Sequence, residues 1–526
     1  MATNPDMGPP PHRYYPASHS RTSVPTSGQS DGHYVMKSNG VDVRMVIDHS
    51  GGSPSPNEVC VDSMCDKTQF VEALDVVERL LEDKLAGTSA FYGTLDVQEA
   101  YFQFPLSQRD APFLGFAIKF HRDEEPCPEV EGDWQLRVMS MGHKISMGKL
   151  AQFLQPVAAH IEKRLGTSVL WMADNFAVKE VRPGTWRKAH DIVQHELGIV
   201  LKPEDDFPPQ RVFDFVGANY DTLTGEVWTR EGKASKFIQQ CDDLATGHRA
   251  QIALREMQQF AGRSGWRSRV YGVGKSFLRD AHHAANSVPR NAKPFWKRNV
   301  TSGVRDAARF MRQVEQRAQD QHHNAFELHE NSAVWANFST DTAGSHRIAA
   351  VHFEDSGDWI AVELPTEYGT DNNGLEAWAH TLGWLVDAWR RDRFPQRFAP
   401  AKSRKALTDS NNFVRQRESG RAENKQVRLA LQVLEGVMLG TDARFFPRHI
   451  AGKDNVVSDA LSRDDKAAAV RSARDKSMPL RDEPMCPRRV ENNQFWRKLR
   501  NSSNFATDAT KATKELFRLL DEILTI

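Results

Sequence analysis

Between residues 40 and 220 the hydrophobic pattern switches repeatedly between the two-residue repeat of strands and the 3.6-residue repeat of helices. GVDVRMVIDHS (40–50) and FYGTLDVQEAYFQFPL (91–106) have strand character, whereas TQFVEALDVVERLLEDKLAG (68–87) places apolar residues at helical spacing. MGKLAQFLQPVAAHIEKRLG (147–166) predicts a further helix. This alternation predicts a mixed α+β sheet domain, and it excludes a helical bundle or an all-β sandwich.

Length and composition set the broad class. The chain has 526 residues, 39% of them hydrophobic and 26% charged, which is enough for about three domains with their own cores. The 69 Lys and Arg cancel the 69 Asp and Glu, so any nucleic-acid surface would be a local patch. The five cysteines lack metal-ligand spacing, which favours a reducing compartment. No apolar run approaches the about 18 residues of a membrane span, so we expect no membrane partner and an intracellular location in the cytoplasm, nucleus or an organelle.

The two ends of the chain differ from its middle. Residues 1–34 are rich in Pro, Ser, Thr and Gly and poor in aliphatic residues, which predicts a disordered leader, with a transit peptide as an alternative. Residues 466–526 begin as a charged segment broken by prolines, which predicts a tail. The final TDATKATKELFRLLDEILTI predicts one amphipathic helix, whose apolar face is a candidate contact for a protein partner.

Two carboxylates in the first half of the chain stand in unusual places. SVLWMADNFAVKE (168–180) predicts a hairpin with Asp174 at its tip, where an acid is also an ordinary turn residue. Asp96 lies inside the apolar strand GTLDVQEAY, where an ionised group is costly unless it is paired or binds a metal. If this strand and the hairpin share a sheet, the two acids converge. Together they could then hold two hard divalent cations for phosphoryl transfer.

The wording around these acids resembles a known enzyme family. DVQEAYFQF resembles the first catalytic motif of reverse transcriptases, and LWMADNFAV resembles their Tyr-x-Asp-Asp hairpin, with Asn in place of the second Asp. KSNGVDVRMVIDHS resembles the fingers segment, and RVMSMGHKISMGKLAQF resembles the template-gripping motif. The resemblance implies that Asp96 and Asp174 are catalytic metal ligands. It also implies that four residues bind or select the nucleotide and template: Lys37 and Arg44 on the triphosphate, Tyr101 against the ribose 2′-hydroxyl, and Gly142 in the template motif.

A helical region follows. MQQFAGRSGWRSRVYGVGKSFLRDAHHA (257–284) resembles the thumb and connection of DIRS-like retrotransposon and pararetroviral enzymes. Its Arg and Lys side chains would contact a primer–template backbone. A solvated helix face explains the same charges almost as well.

A second set of acids begins near residue 335. Asp341 lies on a predicted strand, Glu376 in the first turn of a predicted amphipathic helix, Asp409 where a strand meets a helix, and Asp459 on another helix. Acids on these elements could converge on two Mg²⁺ ions, as a metal-dependent nuclease requires. Their order matches the ribonuclease H fold. HIAGKDNVVSDALSR resembles the closing motif of ribonuclease H domains in gypsy-like and DIRS-like elements, so the resemblance implies that all four are catalytic metal ligands.

The predicted fold class is α+β: a right-hand polymerase (fingers, palm, thumb) followed by an RNase H-like α/β domain. The predicted divisions are a disordered leader (1–34), fingers and palm (35–230), a helical thumb and connection (231–325), an RNase H-like domain (326–465), and a charged tail with a terminal helix (466–526).

The implied function is that of a retroelement RNA-directed DNA polymerase with ribonuclease H activity. Its partners would be an RNA template, a DNA primer, the RNA–DNA hybrid and deoxynucleoside triphosphates, with two Mg²⁺ ions per site and Mn²⁺ as an alternative metal. Two other readings stay open: a domesticated, polymerase-inactive protein that serves as a nucleic-acid-binding scaffold in a ribonucleoprotein, and a chain in which only the nuclease is active. Asn175 favours a weakened polymerase, whereas the four later acids favour an enzyme.

Overall fold

The structure is a computed structural model. It describes residues 71–88, 91–105, 138–139, 146–203, 207–289, 295–321, 323–343, 347–368, 371–398, 401–490 and 493–524, and the strands at 15–16, 30–36, 43–48, 115–118 and 132–135 by their backbone alone. The chain divides into two compact units, Met1–Val216 and Gly217–Ile526. Among the described residues, no helix combines the length and apolar character needed to cross a bilayer.

The first unit contains strands and helices in mixed order. Its described elements are β1 (Tyr15–Pro16), β2 (Ser30–Met36), β3 (Val43–Asp48), α1 (Ala73–Leu85), β4 (Tyr92–Asp96), β5 (Gly115–Ile118), β6 (Gly132–Gln135), α2 (Ser146–Leu165), β7 (Val169–Met172), β8 (Asn175–Lys179), α3 (Thr185–Asp191), β9 (Phe207–Gln210) and β10 (Val212–Phe215). The predicted helices at 68–87 and 147–166 are confirmed, and α2 continues through Pro156.

A four-stranded antiparallel sheet in the order β7-β8-β4-β9 positions the first pair of acids. Apolar side chains of its strands form one core cluster with α2, in which Leu150, Leu154 and Ile161 are fully buried. The predicted hairpin is confirmed, since Met172 pairs with Asn175 across a two-residue turn. The hairpin and the Asp96 strand therefore share one sheet.

A second sheet in this unit has the order β1-β6-β5-β2-β3. The predicted strand at 40–50 is confirmed by β3, which pairs antiparallel with β2. Strands β1 and β2 lie within or across the predicted leader, so β structure occurs where the composition predicted none. Pairing with β6 and β3 satisfies backbone hydrogen bonds, and this gain does not depend on aliphatic side chains. The rest of the predicted leader lies outside the described residues.

The second unit holds the later acids. Its described elements are β11 (Ala218–Asp221), β12 (Glu226–Thr229), α4 (Glu231–Ala245), β13 (Gln251–Ala253), α5 (Leu254–Val270), α6 (Arg279–Asn286), β14 (Lys297–Asn299), α7 (Ser302–Gln321), β15 (His323–Asn324), β16 (Val334–Ala343), β17 (Ile348–Phe353), β18 (Trp359–Glu363), α8 (Asn372–Arg393), β19 (Ser403–Thr408), α9 (Asn411–Ser419), α10 (Lys425–Gly440), β20 (Arg444–His449), α11 (Val456–Ser462), α12 (Lys466–Asp475), α13 (Asn493–Arg500), α14 (Ser502–Thr507) and α15 (Ala509–Ile523).

A five-stranded sheet in the order β18-β17-β16-β19-β20 forms the centre of this part. Strands β16, β17 and β18 are antiparallel neighbours, whereas β16–β19 and β19–β20 are parallel pairs. The parallel pairs need crossover connections, and the helices α8 and α10 supply them. The order strand, hairpin, helix, strand, helix predicted from residue 335 onward is confirmed.

Helix α8 differs from the prediction of an amphipathic helix. Every residue from Ala377 to Arg390 is buried, because the helix packs against β16, β17, α10 and α15 at once. A helix enclosed on several sides needs no solvent-facing stripe, and its polar residues are paired instead. Asp387, for example, accepts hydrogen bonds from Arg391 and Arg404.

The chain after residue 466 is not a free tail. Helix α15 begins at the N-cap Asp508 and buries Leu516, Phe517 and Leu520 against α10. Its Asp521 accepts hydrogen bonds from Trp389 Nε1 at 2.8 Å and from Arg393 Nη2 at 2.8 Å. The apolar face of this helix therefore packs within the chain, and a protein partner for the helix stays a prediction.

The predicted thumb, nuclease and tail segments form one compact unit with shared contacts. The backbone N–H of Ser276 donates to the buried Glu435 Oε2 at 3.0 Å. Both Arg444 Nε and Nη2 donate to the Tyr271 carbonyl, at 3.0 and 2.8 Å. Buried charges need such partners wherever they lie along the chain, and the sequence does not reveal these long-range pairs.

Candidate functional site

The hairpin turn holds the first pair of acids at one end of the four-stranded sheet. Asp96 ends β4 and pairs with Asn175, and the Val97 N–H donates to the Asp174 carbonyl at 2.9 Å. The turn residue Ala173 has a φ of 54°, a strained value for a residue with a β-carbon. The Trp171 indole N–H donates to its carbonyl at 2.8 Å and stabilises this turn. The structure therefore brings the Asp96 and Asp174 backbones together as predicted.

Both carboxylates of this pair are engaged by neighbouring donors. The Lys202 ammonium lies 2.9 Å from Asp96 Oδ1, and the two side chains are 25% and 16% exposed. The Asn175 amide donates to Asp174 Oδ1 at 3.0 Å. A cation and an amide therefore already occupy one oxygen of each acid.

Tyr101 is positioned beside the hairpin. It lies in a 3-10 turn, Ala100–Gln103, that follows β4, and its side chain is buried. Burial raises the pKa of its phenol, and the Asp174 carboxylate raises it further. The Tyr101 hydroxyl donates to Met147 Sδ at 3.4 Å. The phenol therefore stays protonated within electrostatic range of Asp174, as a residue lining this site should.

The other predicted nucleotide-binding residues lie outside the described residues or are described by their backbone alone. Lys37 and Gly142 are outside the described residues. Arg44 belongs to β3, where it pairs with Val35, and only its backbone is described. Their roles stay predictions.

One cation of the predicted primer–template surface faces inward. Arg267 on α5 is buried and its Nε donates to the buried Glu315 at 2.6 Å. Its guanidinium also lies 3.8 Å from the centre of the Phe237 ring. Because a phosphate backbone could not reach this side chain, Arg267 stabilises the helical packing instead.

The four later acids come from four different elements. Asp341 lies near the end of β16, Glu376 is the fifth residue of α8, Asp409 directly follows β19, and Asp459 is in the middle of α11. Glu376 is thus just beyond the first turn in which it was predicted.

Asp341 is a buried acid whose titration is strongly shifted. Asp341 is 8% exposed, and the pKa of its carboxyl is raised to about 7, mainly by burial. The hydrogen bond from Ser462 Oγ to Asp341 Oδ2, 2.6 Å, opposes this shift, whereas the carboxylates of Asp409 and Asp459 contribute to it. These influences place Asp341 within electrostatic range of two other members of the set.

Glu376 connects to the same group through Asp409. Burial raises the pKa of the Glu376 carboxyl, and the Asp409 and Asp371 carboxylates add to the effect. A hydrogen bond from Ser410, the N-cap of α9, lowers it. Asp409 is therefore coupled both to Asp341 on the sheet and to Glu376 on α8.

Asp409 shows the clearest requirement for a further partner. Its Oδ1 is buried and has no hydrogen-bond partner. A buried carboxylate oxygen without a donor is costly, and a cation would remove that cost. The all-oxygen character of the four acids suits Mg²⁺ or Mn²⁺.

The acids approach one another without forming a closed ligand cluster. Within the part of the chain that the structure describes, no three His, Cys, Asp or Glu side chains are arranged to hold a metal ion. Protein donors occupy several oxygens instead: Ser462 binds Asp341, Ser410 binds Glu376, and Arg463 Nη2 donates to Asp459 Oδ1 at 2.6 Å. The like charges of the acids repel one another, and these donors offset part of that repulsion.

Sequence reasoning missed two kinds of contact here. Lys202, more than a hundred positions after Asp96, gave no local signal for the ion pair. Asn455, Ser458 and Ser462 are different, because they recur at positions i, i+3 and i+7 inside HIAGKDNVVSDALSR and all three are buried on α11. That helical spacing could have identified a polar face turned toward the sheet.

Comparisons with known proteins give little beyond this geometry. No protein-family model matches the sequence, and no curated protein matches it. A structure described as the foamy viral protease-reverse transcriptase in complex with an RNA/DNA hybrid is similar at a TM-score of 0.39 and 11% identity. The similarity covers 80% of this chain and 50% of that one, so the chain spans about half the length of that protein. A likeness at this level carries no argument about activity.

Proposed function

We propose that the chain is an RNA-directed DNA polymerase with ribonuclease H activity, of the kind found in retroelements. The observation that carries this proposal is the electrostatic coupling of Asp409, whose buried Oδ1 lacks a hydrogen-bond partner, to both Asp341 and Glu376, together with the coupling of Asp341 to Asp459. Carboxyls whose pKa is raised by burial and by neighbouring carboxylates, beside an unsatisfied carboxylate oxygen, are expected where cations bind.

The nuclease would use these four acids to hold two divalent cations. When bound, such a pair supplies Lewis acidity and a water nucleophile for hydrolysis of the RNA phosphodiester. The chain's own contribution is to fix the acids on the sheet and on two helices, so that little reorganisation is needed on binding. The strand order of this part, with three antiparallel strands followed by two parallel ones, supports the assignment.

The polymerase would use Asp96 and Asp174 at the hairpin. In chain extension the primer 3′-oxygen bonds to the α-phosphorus of the nucleotide, and pyrophosphate leaves. Tyr101, buried beside Asp174, would exclude the ribose 2′-hydroxyl. A polymerase joined to a nuclease is chemically coherent, because copying RNA leaves a hybrid whose RNA strand must be removed.

A polymerase-inactive protein, with or without the nuclease, is the second candidate. The Lys202–Asp96 ion pair and the Asn175–Asp174 hydrogen bond favour it, because both reduce the negative charge available to cations at the hairpin. Such a chain would bind nucleic acid as a scaffold.

Primer extension on an RNA template and degradation of a labelled hybrid, both with purified full chain and Mg²⁺, separate these candidates. We expect Asp96→Asn to abolish extension alone and Asp409→Asn to abolish degradation alone. Asp475→Asn, an exposed acid on α12, is the matched control for both. If wild type matches Asp96→Asn and Asp409→Asn in both assays, the enzyme proposal fails and the scaffold proposal stands.

A further inference from the structure

A row of polar side chains joins α11 to the strand that carries Asp341, and we call Asn455, Ser458 and Ser462 with their contacts on β16 the polar seam. The three residues are 2%, 0% and 0% exposed. Their i, i+3, i+7 spacing places them on one helix face, in contact with the sheet. The four acids of the proposed nuclease do not include these residues, so their polar character needs a separate explanation.

The seam contacts consecutive residues of β16. Asn455 Nδ2 donates to the Thr340 carbonyl at 2.9 Å, the Ser458 and Ser339 hydroxyls are 2.8 Å apart, and Ser462 Oγ donates to Asp341 Oδ2 at 2.6 Å. Side chains two apart on a strand share a face, so the side chains of Ser339 and Asp341 point toward α11. The Thr340 hydroxyl points the other way, to His380 Nδ1 on α8 at 3.2 Å.

This geometry explains how the acids reach one place. Asp341 and Asp459 belong to the α11 face of the sheet, whereas Glu376 comes from α8 on the opposite face. Asp409 directly follows β19, and it couples electrostatically to Asp341 and to Glu376. The position of α11 along β16 therefore sets the distance between Asp341 and Asp459.

Ser462 is the member of the seam that touches both of those acids. Its Oγ lies 2.6 Å from Asp341 Oδ2 and 2.8 Å from the main-chain oxygen of Asp459. The Ser462 hydroxyl thus lies between the Asp341 carboxylate and the turn of α11 that carries Asp459. Ser458, one turn earlier on the same face, has its hydroxyl 2.8 Å from the Ser339 hydroxyl, which belongs to neither acid.

We propose that Ser462 is a positioning residue for the nuclease acids: its hydroxyl orients the Asp341 carboxylate relative to Asp459. This inference rests on the proposed nuclease function. Groups that orient metal ligands in this way typically change metal affinity or activity by about 10- to 100-fold when they are removed. The contact with Ser339 has no such consequence, so the two serines should differ although both are buried and hydrogen-bonded.

The test compares Ser462→Ala with Ser458→Ala, its matched control, in the full chain. Single-turnover hydrolysis of a labelled RNA–DNA hybrid gives the rate and the hybrid concentration at half-maximal rate. Binding of Mn²⁺ without substrate, measured by the EPR signal of the free ion, gives a readout independent of turnover. We expect Ser462→Ala to lower the rate and the Mn²⁺ affinity about 10- to 100-fold with little change in hybrid affinity. Ser458→Ala should stay within about threefold.

Ser462→Cys keeps the size of the side chain with a weaker donor, and it should show a partial loss even if the alanine variant does not fold. Equal effects of Ser462→Ala and Ser458→Ala, or a full-rate Ser462→Cys, would overturn the positioning role while leaving the nuclease intact. A wild-type chain that neither hydrolyses the hybrid nor binds Mn²⁺ would overturn the proposed function, and the positioning role with it.

Discussion

The hairpin pair and the later quartet of acids solve the same electrostatic problem differently. At the hairpin, Lys202 lies 2.9 Å from Asp96 and the Asn175 amide donates to Asp174. In the quartet, burial and mutual repulsion raise the pKa of Asp341 to about 7, and Asp409 Oδ1 has no partner. Neighbouring side chains therefore compensate the negative charges at the hairpin. In the quartet, one buried carboxylate oxygen is left without a donor, and a cation would remove that cost.

This difference indicates which of the two sites gains more free energy from binding a divalent cation. A carboxylate with a lysine partner is stable without metal and must give up that partner to bind one. A carboxylate with no partner gains free energy directly from the ion. We therefore expect the quartet to bind divalent cations more tightly than the hairpin does.

The largest expected effect is on hydrolysis by the quartet. Asp341→Asn keeps the shape of the side chain but removes a charged ligand, so degradation of the RNA strand should fall on the order of 10²–10³-fold. Primer extension should be unchanged, since Asp341 and the hairpin belong to different compact units. Rate constants from a quenched time course of labelled hybrid check this, with Asp475→Asn as control. An equal loss of both activities would remove the distinction between the two sites.

Asn175→Asp should make the hairpin resemble the quartet in its affinity for divalent cations. The change replaces the amide that donates to Asp174 Oδ1 with a second carboxylate. An added negative charge next to Asp174 strengthens attraction for a divalent cation. The Mg²⁺ concentration at half-maximal extension should therefore fall about tenfold, which corresponds to about 1.4 kcal/mol. A Mg²⁺ titration of primer extension measures this, and an unchanged midpoint would show that Asn175 does not limit metal binding.

Lys202→Met tests whether the ion pair stands in for a metal. Without Mg²⁺ the variant should lose about 1–3 kcal/mol of unfolding free energy, because the mostly buried Asp96 carboxylate loses the ammonium that lies 2.9 Å from its Oδ1. Mg²⁺ should restore part of that stability. Lys179→Met is a matched control, since Lys179 pairs with Asp83 at 2.5 Å with similar burial in the same unit. Urea unfolding of both variants with and without Mg²⁺ decides the matter: rescue of both, or of neither, contradicts the expectation.

The smallest expected effect is the pH dependence of stability in EDTA. The folded pKa of Asp341, about 7, lies above its ordinary value of 3.8, so the folded state binds more protons between these values. The stability linked to Asp341 is therefore fully present below about pH 4 and is lost as the pH rises through 7. From pH 5 to pH 8, wild type should lose about 1–2 kcal/mol more unfolding free energy than Asp341→Asn, because only wild type has a carboxyl that must lose its proton in the folded state. Solvent screening keeps this loss below the full value that the pKa shift would give. Urea unfolding at the two pH values measures this difference, and parallel losses would show that Asp341 titrates normally.

Much of the local structure could be predicted from the sequence. The helix at Ala73–Leu85, the hairpin around Asp174 and the closing helix that carries Asp459 all follow from short-range periodicity and turn chemistry. Helix α8 was harder, because enclosure on several sides removes the polar stripe on which an amphipathic prediction depends. The C-terminal helix was predicted, but its docking on α10 was not, since an apolar face does not specify what covers it.

The same division applies to the acids. The sequence by itself determined which acids stand in apolar surroundings and on which kind of element, because period and composition act over a few residues. Only the tertiary structure decided their partners: Lys202 for Asp96, Ser462 for Asp341, and no donor for Asp409 Oδ1. Charge compensation depends on distances of a few ångströms between residues far apart along the chain, and folding sets those distances.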